Sequence, residues 1–243
     1  MQTRFANWPN HFSESDGDRT QRPCRRTMLA EAYGSECIYQ HDHGAREYEN
    51  CYPALADYAA VIALDPPNSR AYAGRGAIDF VERRYDEAIA DLSIAIQLDQ
   101  SNSGAHFLRG QAYEAQRNYD RAISDYSETI QLDPKNAEAL ADRGNAYQLA
   151  GRLDQAIADY TAAIRLAPKY GDAFTNRGIT YFKKKEYDKA IDDLTQAISL
   201  TNFISDMGLQ RVEDFVSRGM DFGGGVVTLF NMRGNSYFAR GDY

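Results

Sequence analysis

Basic charge is scarce in this sequence: 27 Lys and Arg stand against 35 Asp and Glu, a formal net charge of −8. A protein that holds nucleic acid by its phosphates needs a basic face, so the deficit argues against a nucleic-acid partner. No apolar run reaches the roughly 18 residues that a membrane span needs, which excludes one. The first 34 residues hold no continuous apolar stretch of the secretory-signal kind. The expected location is therefore the cytoplasm, with periplasm or secretion only behind an export signal missing from this start. Cysteine is nearly absent, and Cys24, Cys37 and Cys51 are odd in number and confined to the first quarter, so no disulfide framework holds the fold. Histidine is sparse as well. His11, His41, His43 and His106 stand in no nucleophile or general-base pattern, and no glycine loop leads into Lys-Ser/Thr to cradle phosphate. The expectation is a protein without catalysis, cofactor or metal. Cys37, His41, His43 and Cys51 have ligand chemistry but lack the tight pairs of zinc sites. Unpaired thiols are expected there, with zinc or a Cys37–Cys51 disulfide as alternatives.

What the sequence has is a repeat. Arg-Gly recurs at Arg75-Gly76, Arg109-Gly110, Arg143-Gly144 and Arg177-Gly178, each 34 residues after the last. Ala88, Ala122, Ala156 and Ala190 keep the same step, as do Asp91, Asp125, Asp159 and Asp193. In the unit 137–170, Leu140, Gly144 and Tyr147 recur at helical spacing, and Ala156, Ile157, Tyr160, Ala163 and Ile164 form a second helical face. Gly151-Arg152 separates the two, and Pro168, which has no amide donor, closes the second. Each unit is a helical hairpin. Gly144, Ala156 and Ala163 would let its helices approach closely, with Tyr147, Tyr160, Ile164 and Leu166 filling the space around them. One hairpin cannot bury its own apolar faces, so neighbours must stack on it.

The 34-residue step, the Gly and Tyr of the first helix, the Ala-Ile and second Ala of the second and the closing Pro resemble the tetratricopeptide repeat. The resemblance implies an all-α fold, a right-handed superhelical solenoid of antiparallel helix pairs. Its clear copies are 69–102, 103–136, 137–170 and 171–204. Asp79 replaces the tyrosine, Gln100 and Asn202 replace the proline, and Tyr72, His106, Leu140 and Phe174 replace the family's frequent Trp. Residues 35–68 read as a degenerate copy, with a strong second helix (Ala54, Leu55, Asp57, Tyr58, Ile62, Leu64, Asp65 and Pro66) and an irregular first half. Residues 1–34 form a polar segment, disordered or irregular. At the other end Arg233-Gly234 lies 22 residues beyond the step, so 205–226 reads as an insertion or extended helix ending in a Gly223-Gly224-Gly225 break, and 227–243 as a half repeat or capping helix. The open apolar side of that half repeat would suit self-association.

Each repeated Arg precedes an Asp by 16 residues, across the hairpin. A structural ion-pair ladder is the expected reading, and a row of ligand-facing arginines the alternative. In the resembled family the first helix of each hairpin lines a concave groove that holds partner segments. Carried onto this chain, the resemblance implies a groove of Arg70, Ala73, Ala77 and Phe80, then Phe107, Gln111 and Glu114, then Ala141, Asn145 and Gln148, then Thr175, Ile179, Phe182 and Lys183, with Asn231, Asn235 and Phe238 extending it. Phenylalanine among amides suits a peptide or protein segment held by apolar anchors and side-chain hydrogen bonds. Family members that grip chaperone C-terminal carboxylates need two Lys, one Arg and two Asn; here only Asn145 and Asn176 match, while Ala141, Thr228 and Met232 stand where cations are required. The leading expectation is thus an interaction module acting as adaptor or assembly scaffold. The alternatives are the scaffold fragment of a larger enzyme or secretion-related protein and, behind both, an RNA-binding helical-repeat protein, which the acidic charge disfavours.

Overall fold

The computed structural model describes residues 51–200 and 224–241, and ten helices form there. They fall into two compact units that divide between Gln100 and Ser101. In the first unit lie α1 (Cys51–Leu64), α2 (Ser69–Val81) and α3 (Tyr85–Leu98). The second holds α4 (Ser103–Ala115), α5 (Tyr119–Leu132), α6 (Ala137–Leu149), α7 (Leu153–Leu166), α8 (Gly171–Lys183), α9 (Tyr187–Leu200) and α10 (Gly224–Arg240). Among the described residues no helix is long and apolar enough to cross a membrane.

Local chemistry sets the helix ends. The carbonyl oxygens of Asn68, Asn102 and Asn136 each accept a hydrogen bond from the amide three residues on, capping α2, α4 and α6. Tyr170, at the same place before α8, makes no side-chain cap. Replacing Asn136 by alanine strips one such cap, and urea unfolding should read a loss of about 1 kcal/mol. Each first helix of the hairpins ends on a left-handed residue: Arg83, Arg117, Gly151 and Lys185 have φ of 62°, 61°, 78° and 63°. That turn sends the chain back along the second helix, and of the four residues only glycine adopts it without a steric penalty from Cβ.

In the first unit Ala54, Tyr58, Val61, Ala71 and Ile78 make one buried cluster, so the predicted second helix of the degenerate copy exists and packs. In the second unit Ala122, Ile123, Tyr126 and Ala146 form one cluster, and Leu140, Ala141, Ala163 and Ala173 another. Each cluster draws on neighbouring hairpins, the packing that a lone pair of helices cannot supply. The repeated glycine lets the two helices of a hairpin approach closely, as expected. A Cβ on Gly144 would lie 2.7 Å from the Tyr160 ring, and one on Gly110 2.9 Å from the Tyr126 ring. In these two copies the glycine opens a slot for a fully buried tyrosine, and at Gly76 and Gly178 the slot takes Leu92 and Leu194. Leu166 does not fill this space: it is 44% exposed, because the last residue of the helix has turned away from the hairpin interface.

One boundary also differs. Gly224 and Gly225 lie inside α10 rather than in a flexible break. Glycine is least costly in a first turn, where the amides have no intrahelical acceptor to lose, and α10 packs on α9. The expectations for residues 1–34, the first half of 35–68, Cys24, Cys37, His41, His43 and the stretch 203–220 fall outside the described residues.

Candidate functional site

All four predicted Arg–Asp pairs form. In the second unit Arg109 donates to Asp125 at 2.8 and 2.7 Å, Arg143 to Asp159 at 2.7 and 2.8 Å, and Arg177 to Asp193 at 2.7 and 2.8 Å. Arg75 and Asp91 repeat the two-pronged geometry in the first unit. The aspartates are buried, and each guanidinium also lies over an aromatic ring, of Tyr72, Tyr113, Tyr147 or Phe174. The third nitrogen ties hairpins together: Arg143 donates to Ser127 at 3.0 Å and Arg177 to Thr161 at 2.9 Å, each hydroxyl belonging to the preceding hairpin. The hydrogen bond to the partner carboxylate raises each arginine's pKa above its ordinary value. These guanidiniums are committed to the fold. His106, in the Trp position of its copy, is buried with Nδ1 3.5 Å from Asp125 and no hydrogen-bond partner.

A second, exposed ladder runs along the hairpin turns. Arg152 pairs with Asp120, Lys184 with Asp154 and Arg240 with Asp188, each aspartate 34 residues after the last. Exposed pairs of this kind contribute little to stability.

The residues expected to line a groove divide between the units. On α2, Arg70 is exposed and Ala73, Ala77 and Phe80 are half-buried, with the Phe80 ring 5.9 Å from Tyr85. In the second unit the face built by α4, α6 and α8 carries the rest. Phe107, Gln111, Glu114, Asn145, Gln148, Thr175 and Ile179 are half-buried there, while Phe182 and Lys183 are exposed. Ala141 is not on this face: at 2% exposure it belongs to the core, packed with Leu140, Ala163 and Ala173. Asn231, Asn235 and Phe238 are exposed on α10.

The polar side chains of this face are bonded to one another. Gln111 donates to Asp142 at 3.0 Å and Asn176 donates to Asn145 at 3.0 Å, the same 31-residue step between successive first helices. Tyr126 donates to Glu114 at 2.9 Å and Tyr160 to Asn145 at 2.7 Å. Gln148 donates to Thr180 and to the Asn176 carbonyl, and accepts from Lys183 at 3.1 Å. Asp142, Thr180 and Tyr126 were not among the predicted lining residues. The spacing from Gln111 to Asp142 is the signal that finds Asp142, since it places two polar residues on facing turns of neighbouring first helices.

Burial pushes Glu114 up to about 7, helped by the charge of Asp142. It pushes Asp142 up to about 6, helped by Glu138. The Tyr126 hydroxyl is driven well above its ordinary value by the same burial and by Glu114 and Asp142. At the far end of the face an apolar pocket of about 120 Å³ opens between α8, α9 and α10, lined by Ile179, Phe182, Leu194, Met232 and Asn235.

Comparison with known proteins places this geometry. Models described as Tetratricopeptide repeat match residues 79–137, 126–158 and 171–200, and one described as TPR repeat matches 144–185. Among solved structures the chain is similar to YrrB, a TPR protein with an unusual peptide-binding site, at 23% identity and a TM-score of 0.63, covering 76% of this chain and 90% of that one. It is similar to MamA at 22% identity and a TM-score of 0.64, covering 76% and 97%. It is also similar to MamA 41-end from Desulfovibrio magneticus RS-1 at 16% identity and a TM-score of 0.62, covering 72% and 94%. No curated protein matches the chain. These likenesses carry the fold: an all-α helical repeat.

Proposed function

Since the chain belongs to the tetratricopeptide repeat family, whose members are protein-interaction scaffolds, we propose that it is an adaptor that holds a peptide or protein segment on the first-helix face of its second unit. The observation that carries the reading is the pairing, on that face, of apolar anchors at Ile179 and Phe182 beside an open pocket with a fixed layer of hydrogen-bonding side chains. The layer is ordered before any partner arrives, because its amides already hold one another, which lowers the entropy lost on binding. Phe182 keeps more than a third of its surface open, and apolar surface left so at the end of a polar lane gains by being covered. The peptide-binding site of YrrB, a similar fold, agrees with this reading.

A Phe182→Asp variant tests it. The ring is more than a third exposed and packs 5.7 Å from Tyr187, so the fold should survive with a loss of about 1 kcal/mol. Affinity capture from lysate, read by mass spectrometry, should retrieve one or a few proteins with the wild-type chain and lose them with the variant. An unchanged set would remove this face from consideration.

A further inference from the structure

We propose that the outer side of α10 is a docking site for a helix of a partner protein, one that opens on an acidic turn and carries alanine followed, four residues later, by tyrosine or leucine. The site is separate from the face at Ile179 and Phe182 and does not depend on the peptide-binding reading.

Register makes α10 a first helix. Arg233-Gly234 stands in it as Arg177-Gly178 stands in α8, and eight residues after the arginine comes a left-handed residue, Gly241 with φ of 98°, just as Arg83, Arg117, Gly151 and Lys185 follow theirs. The Gly241 amide donates to the Phe238 carbonyl at 3.1 Å, as the Gly151 amide does to Gln148 and the Lys185 amide to Phe182. Ser236 aligns with Ile78, Ala112, Ala146 and Thr180 and is fully buried as they are. Arg240 holds Asp188 of α9, and α10 packs along that helix. One side of α10 is thus seated on the preceding second helix.

The opposite side is open. In four copies the glycine of the Arg-Gly pair seats a side chain of the second helix, since a Cβ there would meet Leu92 at 2.9 Å, Tyr126 at 2.9 Å, Tyr160 at 2.7 Å or Leu194 at 3.0 Å. Gly234 is exposed and has nothing within 4 Å, and beside it Tyr237 and Phe238 are 37% and 67% exposed. Glycine inside a helix costs up to about 1 kcal/mol relative to alanine, which a seated side chain offsets by its packing. At Gly234 no side chain among the described residues does so. The chain's own copies show what chemistry covers such a side: Ala88 with Leu92, Ala122 with Tyr126, Ala156 with Tyr160 and Ala190 with Leu194, each pair four residues apart and so on one face of the covering helix. Those helices also carry aspartate in their first turns, whereas α10 has no acidic side chain, only Arg233 and Arg240. An acidic helix therefore meets no like charge there, and a second α10 would.

The probe is a fluorescein-labelled peptide of residues 153–166, the sequence of α7, stapled with a hydrocarbon bridge because so short a helix is marginal alone. Titrated with the full chain and read by fluorescence anisotropy, it should bind saturably with a dissociation constant below about 1 mM. Phe238→Asp should weaken binding about tenfold or more by charging the surface, and Gly234→Leu should do the same by filling the seat. Both positions are exposed, so both chains should melt within about 4 °C of wild type. A peptide with Tyr160→Ala, which removes the side chain that the seat takes, should lose as much. A Phe182→Asp chain should bind the probe as wild type does. No binding by wild type, equal binding by either α10 variant, or loss with Phe182→Asp would overturn the inference, and none of these bears on the capture experiment that tests the peptide-binding face. A wild-type dimer in sedimentation that Phe238→Asp abolishes would overturn it in favour of a second copy of this chain.

Discussion

Replacing Arg143 by alanine should cost about 3–5 kcal/mol in urea unfolding followed by far-ultraviolet circular dichroism, the cost of a buried ion pair broken from one side. Asp159 keeps only 10% of its side chain exposed, so the substitution strands a carboxylate that water reaches poorly. It also deletes the bond to Ser127 and the stacking on Tyr147, which adds an inter-hairpin loss to the local one. Replacing both partners, Arg143→Met with Asp159→Leu, should recover most of the loss, because an apolar pair of similar volume needs no desolvation. A loss under about 1 kcal/mol for Arg143→Ala would mean that the ladder is no more than an exposed pairing. The size matters because a domain's whole stability is of order 5–15 kcal/mol.

Gly144→Ala is the second large effect, and its sign is opposite to that of the same change elsewhere in the chain. The new Cβ would meet Tyr160 Cε1 at 2.7 Å and Cδ1 at 2.9 Å. Tyr160 is fully buried and its hydroxyl is fixed on Asn145, so the ring has nowhere to retreat without giving up that bond. Overpacking of this kind costs roughly 1–3 kcal/mol. Gly234→Ala, also in an Arg-Gly pair within a helix, meets nothing within 4 Å and should gain up to about 1 kcal/mol from helix propensity alone. Calorimetric melting of the two variants should therefore move in opposite directions. Equal shifts would show that the glycine is there for the backbone and not for the tyrosine.

The hairpins and the Arg–Asp ladder were legible because each is written as a repeated spacing. Arg109 with Asp125 and Arg143 with Asp159 recur in register, and a contact that depends only on position within a unit shows itself once two units are aligned. The first-helix face was half legible. Its helices were placed correctly, but whether a residue looks outward or inward depends on the neighbouring hairpin, which is how Ala141 came to be buried and Leu166 exposed. The carboxylates needed more than periodicity: Glu114 stood among the expected residues, whereas Asp142 belongs to a different row, occupied by Leu108 and Asn176 in the neighbouring copies. Gly224 shows the limit from the other side, since a glycine run reads as a break until packing on α9 extends the helix through it.

The tie between hairpins carries one more consequence. Arg143 reaches Ser127 and Arg177 reaches Thr161, so the same hydroxyl chemistry waits at the same place in successive copies. Excise residues 137–170, and Arg177 meets Ser127, another acceptor of the right kind. The joint between copies is therefore interchangeable, and the chain can be lengthened or shortened by whole 34-residue blocks with no new surface to invent. Duplication and loss of such blocks would change the reach of the array while leaving every junction chemically familiar.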